Sequence, residues 1–237
     1  MKRILLFIPS LLLLYVNAQG QKTLLDVDDM PNMIHVLPPP PDTLSPAFAY
    51  DIMQYQWGKS QRHDSVRLAI AQRDAVWGVE TMCREFSEPF GIRLSKEDTP
   101  ELYKLLVMVA ENTHQAGTKA KDHYMRKRPY VRFSEPTIAP GDEEGLRYNG
   151  SYPSGHTILG WSTALILTEI NPDRQDTILA RGYMYGESRV IAGFHWQSDV
   201  NAGYLAASAA IARLHAEPLF REQIEKARQE FWRKKVK

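Results

Sequence analysis

The sequence predicts an all-α protein that folds as a single-domain helical bundle. Several long segments place apolar residues three or four positions apart, which is the spacing of one helix face. The alternating pattern of a half-buried strand is scarce. The chain has 237 residues, 43% of them hydrophobic, which is enough for one domain with a substantial core. We find no internal repeat and expect no second domain.

Residues 1–18 form a predicted signal peptide and lie outside the helical domain. Lys2 and Arg3 precede a short apolar run, and Val16 and Ala18 suit the positions that a signal peptidase recognises, with cleavage after Ala18. The run is short for a membrane span of about 20 residues, although an uncleaved anchor is an alternative. We therefore expect a periplasmic or secreted protein with no membrane contact after cleavage.

A proline-rich arm is predicted over residues 19–46, before the helical domain of residues 47–237. The arm lacks helical periodicity, and its four consecutive prolines at 38–41 favour an extended polyproline conformation. We expect the arm on the surface or against a partner subunit. The sequence is compatible with a homo-oligomer and does not decide the oligomeric state. The formal net charge of +1 gives no overall field for nucleic acid, so we expect no nucleic-acid partner.

The helical domain is expected to start with two helices, over roughly 47–62 and 65–88. The one cysteine of the chain, Cys83, falls on an apolar stripe of the second helix that begins at Val76. At that spacing it is expected to be a buried hydrophobic residue rather than a nucleophile. A single cysteine allows no intramolecular disulfide.

The next helix is predicted from Thr99 to about Lys127. Thr99 can cap its N-terminus, Pro100 suits the first turn, and Glu101 complements the helix dipole. A proline two positions beyond its end stops it. Residues 131–150 contain several prolines and glycines and are expected to form a loop.

Four further helices complete the predicted bundle. The first runs from the Pro-Ser-Gly-His stretch at 153–156 to about Ile170, and the asparagine that follows can cap a second helix that reaches roughly Arg189. An alanine-rich helix follows over about 197–214. The tail, residues 217–237, is highly charged and is predicted to be a solvated helix.

A histidine behind a glycine at a helix start is the first candidate for chemistry. The free N–H groups and the macrodipole at a helix N-terminus favour a bound anion. Gly155 would let an anion approach the backbone closely, and Ser154 adds a hydroxyl donor beside His156. A plain turn with a capping serine is the alternative.

Two further blocks carry charged or nucleophilic groups. Lys121 and Arg128 are seven positions apart, which is two turns on one face of a continuous helix, so both cations could converge on one anion; a solvated basic face is the alternative. Arg189 offers a planar fork that suits phosphate oxygens. His195 and Asp199 are four apart, so the carboxylate can accept from one imidazole nitrogen and leave the other as an attacking lone pair. A capping and salt-bridge pair is the alternative there.

Together the three blocks supply cations to neutralise a phosphate, a nucleophile, and a proton donor for the leaving oxygen. Their spacing reads Lys, six residues, Arg-Pro; then Pro-Ser-Gly-His; then Ser-Arg, five residues, His, three residues, Asp. It resembles the three-part signature of the PAP2 phosphatase superfamily, which includes vanadium haloperoxidases and lipid phosphate phosphatases. The GSYPSGHT stretch and the LPPPP arm are similar to the bacterial class A non-specific acid phosphatases.

This resemblance implies an all-α bundle and an acid phosphatase that needs neither a metal ion nor another cofactor. It implies that His195 is the nucleophile that forms a phosphohistidine, and that Asp199 orients it. His156 would protonate the leaving alcohol and then activate water. Phosphate oxygens would be held by Lys121, Arg128, Ser154, Gly155 and Arg189. The residues themselves favour His195 as the attacking histidine only through its partner Asp199.

We therefore expect a secreted phosphatase of broad specificity that hydrolyses small phosphate monoesters. Vanadate mimics phosphate in such a cradle, so a vanadate-dependent haloperoxidase is the main alternative, although such chains are usually longer. A lipid phosphatase is disfavoured because no membrane helices follow the signal. A non-catalytic anion-binding protein is disfavoured by the intact His156, His195 and Asp199. A zinc hydrolase is disfavoured because the three cations would repel its metal ion.

Overall fold

A computed structural model describes residues 23–235, and within that range the protein contains α-helices and short 3₁₀ turns but no β-strand. The all-α prediction is therefore confirmed. The predicted signal peptide lies outside the described residues. The twelve helices of the described range are α1 (Met33–Val36), α2 (Pro46–Ser60), α3 (Ser65–Ala75), α4 (Val79–Phe90), α5 (Pro100–Thr113), α6 (Thr118–Tyr124), α7 (Pro129–Phe133), α8 (Glu143–Leu146), α9 (Gly155–Ile170), α10 (Gln175–Ala192), α11 (Gln197–Leu214) and α12 (Pro218–Lys235).

Helix α9 lies at the centre of the bundle and packs against α5, α10 and α11. Its sequence is apolar around most of its circumference, which is typical of a helix buried on all sides. The helices approach closely at Gly160, where an added Cβ would overlap the Tyr185 ring of α10. This packing fixes the first turn of α9, which carries the predicted anion cradle.

The described part of the proline-rich arm packs against its own domain. Leu25, Met30, Met33 and Leu37 are buried in the main hydrophobic core. Asn32 caps the short helix α1 by accepting a hydrogen bond from Ile34 N. Burial of these side chains supplies the free energy that holds the arm in place.

The predicted helix over 65–88 is two helices, α3 and α4, and that prediction was wrong. Gly78 separates them with φ +132°, a backbone angle that residues with a side chain rarely adopt. The break turns Val76 outward, so it is 55% exposed and does not share a stripe with Cys83. Cys83 itself is buried, as predicted. The break also leaves the last carbonyl of α3, that of Ala75, without a helical partner.

The predicted helix from Thr99 to Lys127 is also divided. Helix α5 ends at Thr113, a 3₁₀ turn follows, and α6 ends at Tyr124 because Met125 takes a left-handed conformation with φ 40°. Arg128 has an extended backbone and directly precedes α7. Lys121 and Arg128 are therefore not on one helix face, and the expectation that a shared face makes them converge was wrong.

The charged tail is not a solvated helix, which corrects another expectation. Helix α12 packs along α5, and it buries four apolar side chains, those of Phe220, Ile224, Ala227 and Phe231. Its Glu230 carboxylate accepts hydrogen bonds from the N–H groups of Glu101 and Leu102, each at 3.0 Å. This carboxylate caps α5, whereas the hydroxyl of Thr99, the predicted cap, bonds to Ser95.

Three smaller differences concern helix ends. The predicted loop over 131–150 contains most of α7 and all of α8, and α10 continues to Ala192 rather than Arg189. Asn171, the expected cap, instead donates its side-chain amide to Phe90 O at 2.8 Å. Helix α11 has the bounds that the sequence predicts. None of the helices in the described range is both long enough and apolar enough to cross a membrane.

Candidate active site

A pocket of about 790 Å³ opens where the first turn of α9 meets the segments that follow α6 and α10. Five of the eight predicted site residues line it, namely Lys121, Arg128, Gly155, His156 and His195. The other three are buried directly behind this wall, namely Ser154, Arg189 and Asp199. The structure thus brings all eight residues together at one place in the fold.

His195 has a different partner on each ring nitrogen. Its Nδ1 lies 3.3 Å from Oδ2 of Asp199, and its Nε2 lies 3.1 Å from Nη1 of Arg128. A guanidinium can only donate, so Nε2 is the acceptor and Nδ1 carries the hydrogen. The tautomer therefore leaves a lone pair on Nε2, in the wall of the pocket.

The surroundings of His195 disfavour a second proton on its ring. Burial lowers the pKa of His195 well below its ordinary value, and the positive charges of Arg128, Lys121 and Arg189 lower it further. Asp199 accepts from His195 and also from the backbone N–H of Trp196, at 2.9 Å. The histidine is therefore neutral and fixed in orientation.

His156 stands in the first turn of α9 with its Nε2 3.1 Å from the carbonyl oxygen of Ala75. Because a carbonyl only accepts, Nε2 carries the hydrogen and Nδ1 remains available for a further proton. The Trp77 ring packs edge-on against the imidazole, with centroids 4.9 Å apart. Burial, followed by the charge of Arg189, lowers the pKa of His156 well below its ordinary value.

Ser154 is the N-cap of α9, and its Oγ accepts hydrogen bonds from both the backbone and the hydroxyl of Thr157. Its own hydroxyl hydrogen is not used in either bond, so the capping role leaves a donor free. At Gly155 an added Cβ would lie 3.9 Å from Cε of Lys121. That distance is an ordinary van der Waals contact, so a methyl group could be accommodated beside the lysine side chain.

Lys121 and Arg128 are held by backbone carbonyls. Lys121 Nζ donates to Gly150 O at 2.9 Å, and Arg128 Nε donates to Leu146 O at 3.0 Å and to Asn149 O at 3.1 Å. Burial and then the charge of Arg128 lower the pKa of Lys121 to about 7. No carboxylate forms a salt bridge with either cation among residues 23–235, so their charge is available to an anion.

Arg189 is the most unusual residue of the site. Its side chain is fully buried, and none of its three guanidinium nitrogens has a hydrogen-bond partner among residues 23–235. It lies over the Phe194 ring, 4.8 Å from the centroid, and burial lowers its pKa to about 10. A buried, unpaired cation is unfavourable by itself, and an anion that accepts from its fork would relieve that cost.

Sequence reasoning missed several residues around the pocket. Trp77, His114 and Asp122 line the pocket and were not among the predicted site residues. Arg126 donates to Asp199 and to Asp51 of α2. The basic cluster that contains Arg126 was visible in the sequence, but no local pattern indicated that Asp51 would lie beside Asp199.

A profile of the PAP2 superfamily matches residues 102–220, and the chain therefore belongs to this superfamily. It is 45% identical over 197 residues to a non-specific acid phosphatase of Providencia stuartii, covering 83% of this chain and 79% of that protein. It is 39% identical over 225 residues to a non-specific acid phosphatase of Salmonella typhimurium, covering 94% and 90%. An acid phosphatase of Zymomonas mobilis is 40% identical over 194 residues, covering 82% and 73%. The resemblance stated from the sequence is confirmed.

Proposed function

We propose that the protein is a periplasmic or secreted acid phosphatase of broad specificity, which hydrolyses small phosphate monoesters through a phosphohistidine on His195 without a metal ion or other cofactor. Similarity to named acid phosphatases supports the enzyme class. The observation that carries the mechanism is the contact pattern of His195, with Asp199 at Nδ1 and a cation, Arg128, at Nε2. A predicted signal peptide supports export.

In the first half-reaction the Nε2 lone pair of His195 attacks phosphorus, and the bond from phosphorus to the leaving oxygen breaks. Arg128 donates to that lone pair in the free protein, and charged phosphate oxygens would draw the guanidinium to themselves. The leaving oxygen takes the bonding electrons and a proton from Nδ1 of His156, since its Nε2 is bonded to Ala75. A phosphate anion beside Arg189 offsets the positive charge that lowers the pKa of His156, and so favours the protonated acid.

In the second half-reaction water attacks the phosphorus atom of the phosphohistidine. Nδ1 of His156, which has lost its proton to the leaving group, accepts one from the water. The nitrogen–phosphorus bond breaks, its electrons return to Nε2 of His195, and orthophosphate leaves. Asp199 stabilises the positive charge that His195 carries while the phosphoryl group is attached.

The charges of the pocket favour turnover in acidic solution. Lys121, whose pKa is lowered to about 7, holds its positive charge below that pH and loses it above. His195, with a lowered pKa, remains neutral and nucleophilic when the solution is mildly acidic. The pocket volume of about 790 Å³ far exceeds a phosphate group, which supports a broad range of leaving groups.

The covalent intermediate provides the test. A nitrophenolate leaves without a proton, so His156→Ala should still be phosphorylated by p-nitrophenyl phosphate, but it should lose the activation of water that empties the intermediate. Its rate with an alkyl phosphate should fall by about 10²–10⁴-fold. Rapid quench at alkaline pH and trypsin digestion place the two histidines on separate peptides, residues 148–174 and 190–213. The phosphate mass is expected on the second peptide.

Two control variants accompany this experiment. His195→Ala should form no covalent species with any substrate, and His123→Ala should behave as the wild type because His123 is exposed and outside the pocket. Phosphate on peptide 148–174 would reverse the roles of the two histidines. No label under any condition would favour direct attack by water. N-terminal sequencing of the exported protein checks cleavage after Ala18.

A further inference from the structure

A buried arginine holds the oxygen of Asp199 that His195 does not use. Nη1 of Arg126 donates to Oδ1 of Asp199, while Nη2 lies 2.7 Å from Oδ2 of Asp51. The Arg126 side chain is 8% exposed, and the two carboxylates are 0% and 1% exposed. Arg126 does not line the pocket. Its guanidinium donates to Asp199, Asp51 and Ser198, and of these Asp199 is the residue that bonds to His195.

We propose that Arg126 is a positioning residue for the phosphoryl transfer proposed above. By binding Oδ1, it turns Oδ2 of Asp199 toward His195, so that Nδ1–H has an acceptor. The inference rests on the proposed function, because it gives Arg126 a part in that reaction.

The arginine is itself fixed from both sides. Oδ1 of Asp51 accepts from Ser198 N at 2.8 Å, and Oδ2 accepts from the Ser198 hydroxyl at 2.6 Å. Asp51 therefore binds the first turn of α11, which carries Asp199. The Arg126 carbonyl accepts from Ser151 N at 2.9 Å, in the segment that leads to the anion cradle. The guanidinium of Arg126, in the segment after α6, thus joins helix α2 to the start of α11.

Removal of the guanidinium should affect turnover much more than phosphate binding. The phosphate cradle consists of Lys121, Arg128, Arg189 and the α9 N-terminus, and Arg126 touches none of these cations. Without Arg126, Oδ1 of Asp199 is left buried without its charged donor. The carboxylate can then rotate, and this weakens its bond to His195.

The test is a double-mutant cycle between Arg126→Gln and Asp199→Asn. Arg126→Gln should lower kcat about 10- to 100-fold, the effect of one lost charge-assisted bond, with the inhibition constant of orthophosphate changed less than about threefold. Arg126→Lys should recover part of kcat, since it keeps the charge. In the Asp199→Asn background, Arg126→Gln should cost less than about threefold more, because residues that act as a unit are not additive.

Arg181→Gln is the matched control. Arg181 is also a buried guanidinium between two carboxylates, Asp74 and Glu85, but it does not contact Asp199. Its effect should add in full to that of Asp199→Asn. If Arg126→Gln fails to fold, Arg126→Lys and Asp51→Asn each take its place in the cycle with Asp199→Asn.

A folded Arg126→Gln protein with wild-type kcat, or a full additive loss in the Asp199→Asn background, would overturn the inference. Those results leave the proposed function intact, provided that the wild type is labelled on His195. A wild type without turnover or label would instead refute the proposed function, and this inference with it.

Discussion

Replacement of Arg189 by lysine tests the anion site with little interference from other contacts. The three guanidinium nitrogens have no hydrogen-bond partner among residues 23–235, so Arg189→Lys breaks no hydrogen bond inside the described protein. Its effect should therefore emerge when an anion binds. An ammonium group cannot reproduce the two parallel hydrogen bonds that a planar fork makes to a phosphate.

The size of the effect follows from one lost charge-assisted hydrogen bond, worth about 1.5–3 kcal/mol. This corresponds to a loss of about 10- to 160-fold in kcat/KM. The same loss of binding free energy should reduce the stabilisation that orthophosphate gives to the folded protein. Orthophosphate at 100 times its dissociation constant should stabilise the wild type by about 2.7 kcal/mol, or about 5–11 °C in Tm for a chain of this length. At the same concentration the variant should gain only about 0.3–1.4 kcal/mol.

Steady-state hydrolysis of p-nitrophenyl phosphate and thermal unfolding with and without orthophosphate measure both quantities. Arg181→Lys is the control, because Arg181 already bonds to Asp74 and Glu85. It should lower Tm without phosphate and retain most of the phosphate-dependent increase. A folded Arg189→Lys protein with wild-type kcat/KM and a full phosphate-dependent increase in Tm would refute the assignment of Arg189 to the anion site.

Three further predictions concern metal ions and pH. Activity should survive EDTA and be inhibited competitively by vanadate, because in the proposed mechanism the cations of the site neutralise phosphate without a metal ion. Loss of activity that zinc or magnesium restores would contradict this. Lys121→Arg should move the alkaline limb of kcat/KM to higher pH, since arginine keeps the charge that Lys121 loses near its pKa of about 7; an unmoved limb would exclude Lys121 as its origin. Without phosphate, the free energy of unfolding should fall as pH drops below about 6.5, because unfolding raises the lowered pKa values of His156 and His195 and takes up protons. Denaturant titrations across pH should show this slope, and His195→Asn should reduce it.

The sequence predicted the components of the candidate site better than the backbone that supports them. Spacing and residue type selected eight residues that the structure places around one pocket. The break between α3 and α4 could not be predicted, because apolar periodicity continues across it and a single glycine is tolerated in a helix. Only the folded chain shows Gly78 at φ +132°. The break supplies the carbonyl of Ala75, which fixes the tautomer of His156.

The tail shows a signal that was present in the sequence and underweighted. Phe220, Ile224, Ala227 and Phe231 recur at intervals of three and four, which marks one apolar face of a helix despite the many charges around it. The cap that Glu230 forms on α5, by contrast, has no signal in the sequence. It depends on how two helices distant in sequence approach each other, and no local pattern encodes that approach.

The end of α6 at Met125 explains how one basic stretch serves two purposes. In a continuous helix, Arg126 would project about 140° away from Lys121, and Arg128 would project along the same face as the lysine. The left-handed turn at Met125 ends the helix instead. Lys121 and Arg128 then reach the pocket from different backbone segments, while Arg126, between them, turns into the protein and bonds to Asp199. The seven-residue spacing therefore spans a helix end and a loop. It places Lys121 and Arg128 at the pocket, and Arg126 beside the carboxylate that bonds to His195.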